Sequence, residues 1–184
     1  MQQTSTPNLN DERDVRMHKM RDLESAGIAL YPAKSIRTQT IPEALAQPND
    51  ASVSIVGRIM LKREMGKLTF CRLQDGFGAM QIALKQGELS ESAYQLFVKK
   101  IDAGDIIACT GVRFETHKGE PSVMVSSWTL LAKAIAPLPD KFHGLQDEET
   151  RYRKRYLDFL FRPEEKEKIR EKKPVGRCAR VEVS

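Results

Sequence analysis

The sequence predicts a five-stranded β-barrel with one helix set between its third and fourth strands, preceded by a helix and followed by a hinge and a short helical tail. Three observations carry that prediction. Five runs of β type, 53–63, 67–74, 79–84, 105–116 and 120–131, follow one another, with apolar residues on alternate positions in the second and third. Turn-forming clusters separate them: Glu64–Met65–Gly66, Asp75–Gly76–Phe77–Gly78 and His117–Lys118–Gly119. Between the third and fourth runs the period changes, and a helix over 90–101 puts Ala93, Leu96, Phe97 and Ile101 on one face.

Taken in order, residues 1–10 are polar and predict a disordered start. From Asp11 to Ala26 the residues favour a helix. Asn10 is its candidate N-cap, acids crowd the first turn, Met17, Met20 and Leu23 make a thin apolar stripe, and Gly27 can end it. Pro32, Pro42 and Pro48 mark residues 28–51 as a linker that packs on the barrel, with room for a short helix over 42–46. Gly57 is expected to bend or bulge the first strand. The barrel then spans 52–136, a hinge 137–162, and a divergent tail 163–184. Within that tail, 163–173 is charge-dense and helical in composition, has Ile169 as its one large apolar residue, and is broken by Pro174. Three strands, a helix and two strands is the order of the OB-fold.

The 184 residues allow one domain of ordinary size plus tails. A composition of 40% hydrophobic and 30% charged residues suits a soluble globular chain, and no apolar run approaches the roughly 18 residues of a membrane span. The start, MQQTSTPNLNDERD, lacks the order of a secretory signal and is acidic for a transit peptide, so a cytoplasmic location is expected. Cys71, Cys109 and Cys178 lie far apart, and His18, His117 and His143 are isolated; neither a metal site nor a disulfide framework is expected. Residues 1–140 hold 17 Lys and Arg against 16 Asp and Glu, whereas 141–184 hold 13 against 9. The barrel is therefore close to neutral. Nucleic-acid reading by it must lean on stacking and hydrogen bonds, which favours a single-stranded target.

Strand alternation assigns the faces. Thr69, Cys71 and Leu73 share one face; Leu68, Phe70 and Arg72 share the other, which Arg72 marks as solvated. Phe70 then stands exposed beside a cation, as a base-stacking platform requires. On periodicity alone the opposite arrangement, Phe70 in the core with Arg72 snorkelling, stays open. Met80, Ile82 and Leu84 point inward, which leaves Gln81 outside between Ala79 and Ala83 with an amide that both donates and accepts. Val123 and Val125 set the inner face of the last strand. Glu120 falls with Ser122 on the outer one, where it can accept from a base. A plain solvated surface residue is the simpler reading of an isolated Gln or Glu. Arg63, whose parity is unsettled, can meet a base or phosphate, and Lys62 and Lys67 flank the strand turn as possible phosphate partners.

Several stretches together, VGRIM, KREMGKLTFCRLQDGFGAMQIAL, THKGEPSVMV and LAKAIAPLPDKFHGLQDEETRYRKRYLD, resemble the N-terminal anticodon-binding domain of class II lysyl-tRNA synthetases, the lysine–tRNA ligases. The resemblance runs from about Asp14 to Pro163. It implies that Phe70 stacks on the central anticodon base, that Gln81 and Glu120 hydrogen-bond anticodon uridines, and that Arg63 contacts a neighbouring base or its backbone. It further implies a lysine tRNA with a uridine-rich anticodon as partner. For the full-length family it implies a homodimer that uses ATP and magnesium to attach lysine. Beyond Arg162–Pro163–Glu164–Glu165 the sequence departs from the family, and 171–184 read as a truncated or frameshifted end with no class II catalytic signature. The expectation is an anticodon-binding module that is non-catalytic alone, with no catalytic residue and no cofactor of its own. The alternative is an OB-fold that binds single strands regardless of sequence.

Overall fold

The computed structural model of the chain describes residues 11–138, 148–162, 165 and 168. The expected disordered start, the hinge between 139 and 147, and most of the tail lie outside the described residues. The chain divides into two compact units, Met1–Leu138 and Pro139–Ser184.

In the first unit, α1 (Glu12–Ser25) starts one residue later than expected. Its cap is Asp11, whose carboxylate accepts the N–H of Arg13 at 2.9 Å. Gly27 closes the helix at φ +77°, a conformation that costs glycine nothing. Of the expected stripe only Leu23 is fully buried; Met17 and Met20 are half-buried. The sequence reading missed Arg16, which is also buried. Its guanidinium donates to the carbonyls of Ala103 (2.8 Å) and Ala134 (3.3 Å) and pairs with Glu12 (2.8 Å). Lys19 reaches Asp102 at 2.5 Å and Asp22 pairs with Lys100, so α1 is held mainly by charged hydrogen bonds. The short α2 (Ile41–Leu45) opens with a capping box of Thr40 and Glu43, and it buries Ile41 and Ala44.

The strands are β1 (Ser52–Met65), β2 (Leu68–Gln74), β3 (Ala79–Lys85), β4 (Ile106–Glu115) and β5 (Pro121–Ala132), with α3 (Glu91–Lys100) between β3 and β4. They close as β1-β2-β3-β5-β4, antiparallel except where β3 and β5 pair in parallel. The long β1 makes closure possible: Ser52–Arg58 pairs with β4, and Arg58–Met65 pairs with β2. Gly57 is not the bulge. It pairs regularly with Ile107, and the register shifts two residues later, between Ile59 and Leu61. Glycine is needed there for space, because a Cβ would stand 2.8 Å from the Gln74 carbonyl oxygen and from Leu73 Cγ. At the β2–β3 turn the Asp75 carboxylate accepts the N–H groups of Phe77 and Gly78, both at 2.7 Å, and that of Ile41 at 2.9 Å.

Ile55, Ile59, Leu73, Met80, Ile82, Leu84 and Val123 fill the interior. One side of α3 covers it, though by a different stripe than expected: Tyr94, Phe97 and Ile101 are buried, while Ala93 and Leu96 are half-buried. Tyr94 can be buried because its hydroxyl is satisfied by Thr69 Oγ1 at 3.1 Å and the Gly66 carbonyl at 3.3 Å. Phe97 meets Trp128 edge to face, 5.3 Å between centroids. Beside this core lies a buried ion pair, Lys133 with Asp105 at 2.7 Å, both side chains fully enclosed; the same ammonium reaches Asp102 at 2.7 Å.

In the second unit, α4 (Glu148–Arg153) and α5 (Arg155–Phe161) set Arg151, Arg155 and Arg162 at 3.5–3.6 Å from the carboxylate of Asp158. Among the described residues, no helix is long and apolar enough to cross a membrane.

Candidate nucleic-acid interface

Strand pairing places the outward side chains of β2 in cross-strand rows. In one row Arg63 (β1), Phe70 (β2), Ala83 (β3) and Met124 (β5) stand side by side. In the next, Leu61, Arg72, Gln81 and Ser122 do the same, and Phe114 of β4 pairs with Ser122. Directly opposed residues in such rows lie close enough for their side chains to touch, and diagonal ones are within reach of an aromatic ring. Phe70 and Gln81 are diagonal neighbours.

The faces follow the alternation. Thr69, Cys71 and Leu73 are enclosed, whereas Phe70 is half-buried and Arg72 exposed. The arrangement with Phe70 in the core is thereby overturned. Burial also pushes the Cys71 thiol up to about 12, and that of Cys109, inside the same barrel, equally to about 12. Gln81 is half-buried between inward Met80 and Ile82. Its expected flanks need correction. Ala83 has outward parity but is fully covered, because the longer Phe70 and Met124 stand on either side of it.

Glu120 is exposed just before β5, and its carboxylate lies 3.6 Å from the Arg72 guanidinium, with each side chain about half accessible. Beneath them Gln81 Nε2 donates to Ser122 Oγ at 3.0 Å, and Ser122 Oγ in turn donates to the Glu120 carbonyl at 3.2 Å. Arg63 is exposed on the same side as Phe70, which settles its parity, and Lys67 is exposed at the turn. Lys62 belongs elsewhere. It pairs with inward Cys71, its side chain is only 12% exposed, and its ammonium donates to the carbonyls of Val98 (2.5 Å), Ile101 (3.0 Å) and Phe97 (3.4 Å) while pairing with Glu64 at 3.0 Å. The last carbonyls of a helix lack partners and carry partial negative charge, so Lys62 caps α3 and is withdrawn from any phosphate.

Sequence reasoning used Arg72 only to orient the strand and passed over Ser122. Parity marks both as outward, but their contacts, Arg72 with Glu120 and Ser122 with Gln81, depend on register across three strands. Among the described residues no cluster of His, Cys, Asp or Glu is arranged to hold a metal ion.

The face can therefore supply an aromatic surface, an amide, a carboxylate and two guanidiniums to an unpaired base and its backbone. Residues 53–131 match the model of the OB-fold nucleic acid binding domain family. A lysine–tRNA ligase of Carboxydothermus hydrogenoformans is 48% identical over 162 residues, which is 86% of this chain and 33% of that protein. Those of Burkholderia vietnamiensis and Bacillus subtilis are each 42% identical, over 181 and 168 residues, covering 91% and 86% of the chain and 35% and 34% of theirs. The chain thus spans about a third of the length of the curated relatives it matches.

Proposed function

We infer that this chain, whose residues 53–131 are an OB-fold nucleic acid binding domain similar to that part of lysine–tRNA ligases, binds the anticodon loop of a tRNA, specifically a uridine-rich lysine anticodon. The observation that carries the reading is the convergence of Phe70, Gln81 and Arg63 on two adjacent rows of one outer barrel wall, with Glu120 joined to the second row through Arg72. Phe70 offers a face on which a base stacks. Gln81, on the diagonal, meets the base edge. Glu120 accepts from a base donor, and Arg72 beside it offsets the repulsion that a lone carboxylate would exert on an incoming polyanion. Arg63 and Lys67, at the β1–β2 end, approach the backbone phosphates.

A labelled anticodon stem-loop with UUU at its tip, titrated against one with a scrambled loop, tests this. Preference for UUU is the expected result; equal binding refutes the reading and favours a sequence-tolerant single-strand binder. The relatives are lysine–tRNA ligases, and the use of ATP and magnesium is what the resemblance implies for the full-length family. We assign no step of lysine attachment to the barrel wall, and lysine-dependent ATP–pyrophosphate exchange by the 184 residues is expected to be absent.

A further inference from the structure

We propose that Ser122 is a specificity-determining positioning residue: it fixes which end of the Gln81 amide faces the ligand and so makes the site read uracil rather than cytosine. The inference rests on the anticodon reading above and deepens it.

A glutamine amide has two ends of similar shape and opposite hydrogen-bonding character, and rotation about its last torsion exchanges them. What decides between them is the polar group beneath. Here that group is Ser122 Oγ, in a side chain with no exposed surface, 3.0 Å from Gln81 Nε2. A hydroxyl carries one proton. Ser122 donates it to the Glu120 carbonyl at 3.2 Å, so toward Gln81 it can only accept. The nitrogen end of the amide is therefore held down on Ser122, and Oε1 is presented to the ligand as an acceptor. The parallel pairing of β3 with β5 puts the two residues opposite each other, so the lock is part of the sheet itself.

Phe70, diagonal to Gln81, fixes where the edge of a stacked base falls. With the base so placed, the atom opposite Oε1 is the ring N3. Uracil carries a hydrogen there and donates it; cytosine carries a lone pair and meets oxygen with oxygen. A rotated amide would reverse the preference. Ser122 touches no part of the base, yet it sets the sign of the discrimination.

The test compares stem-loops with UUU and UCU tips on the intact chain, in wild type, Ser122→Ala and Ser122→Thr. The measured quantity is the ratio of the two dissociation constants, which a merely structural weakening would leave unchanged. The wild type is expected to favour UUU. Ser122→Ala should lower that ratio about tenfold, the factor that 1.4 kcal/mol makes in an equilibrium constant, and Ser122→Thr, which keeps the hydroxyl, should restore it. Should either variant fold poorly, the side-chain amide resonance of Gln81 in the free protein is followed instead. One Nε2 proton is expected to resonate as hydrogen-bonded in wild type, and a wild-type amide with both protons solvent-like overturns the lock. A wild-type preference that persists undiminished in Ser122→Ala overturns the lock while leaving the anticodon reading intact. Equal binding of UUU, UCU and scrambled loops by wild type overturns both.

Discussion

Phe70→Ala distinguishes a ring that serves binding from one that serves the core. Phe97, with no exposed surface, shows what a core phenylalanine is worth here: truncating it removes the lid on the barrel and should cost about 3–5 kcal/mol in folding. Phe70 stands half-buried between its cross-strand neighbours Arg63 and Ala83, and follows and precedes the enclosed Thr69 and Cys71 in the strand. Half the burial gives about 1–2 kcal/mol in folding. In binding, losing one stacked base costs about 1–3 kcal/mol, or roughly a 5- to 150-fold rise in Kd. Denaturant unfolding and anisotropy titration with the UUU stem-loop, run in parallel on Phe70→Ala and Phe97→Ala, should therefore give opposite patterns. Phe70→Ala weakens the loop complex and largely spares the fold. Phe97→Ala lowers stability while the folded fraction still binds. If Phe70→Ala loses more than about 3 kcal/mol in folding and leaves loop affinity unchanged, the ring is structural and the stacking argument is wrong.

Lys133→Met strands the enclosed Asp105 carboxylate with only the backbone N–H groups of Asp102 and Ala134, and should cost about 3–5 kcal/mol in denaturant unfolding; a loss below 1 kcal/mol would mean the pair is dispensable. Lys62→Gln removes the cap on α3, so it should lower the melting temperature while loop affinity stays at the wild-type value; a clear affinity loss would return Lys62 to the RNA contacts. For Asp102, burial pushes the pKa up, but hydrogen bonds from Lys133 and Lys19 outweigh it and hold the folded value below the ordinary 3.8. Its stabilising contribution is complete above that ordinary value and is lost as pH falls through the folded one. The stability gap between wild type and Asp102→Asn should accordingly be full at about pH 6 and close below about pH 3.8; a gap independent of pH contradicts the assignment.

What the sequence revealed and what it hid divide along one physical line. Alternation within a strand is a property of the local backbone, so the inward trio of Met80, Ile82 and Leu84, the enclosed Val123 and Val125, and the outward Phe70 were readable from residue order. Gln81 was readable for the same reason. Contacts across strands depend on register, and register here is reset by the irregularity between Ile59 and Leu61 and by another between Thr110 and Gly111. Neither announces itself in the residue types. Hence the pairing of Arg72 with Glu120 and the Gln81–Ser122 contact were hidden, though parity put each residue outside. Lys62 misled for a related reason. It sits one residue from Arg63 at the same turn, but strands send neighbours to opposite faces, and α3, some 35 residues away, supplies the carbonyls that claim it. Tyr94 and Arg16 were missed because polar residues are assigned outward by default. Both are buried only because specific acceptors, remote in sequence, receive their hydrogens.

The distribution of cations on the barrel bears on how its selectivity responds to salt. Arg16, Lys19, Arg58, Lys62, Lys100 and Lys133 all bond to carbonyls or carboxylates of the same unit. Arg72 is shared with Glu120, and of the exposed cations around Phe70, namely Arg63, Lys67 and Lys85, Arg63 and Lys67 are the two proposed to meet phosphate. Each phosphate neutralised on a single strand adds about −0.7 to the slope of log affinity against log salt, so two contacts give about −1.4. A fully basic groove would bind more tightly at low salt, but it would do so for any sequence, and phosphate contacts carry no information about bases. Confining the charge to one end of the wall leaves the aromatic and amide contacts, which salt barely touches, to decide which loop is held. The ratio of UUU to scrambled affinity should then stay nearly constant from 50 to 200 mM salt while both affinities fall gently. A slope steeper than about −4 would mean that many more cations engage the backbone, and that charge, not the Phe70–Gln81 pair, governs recognition.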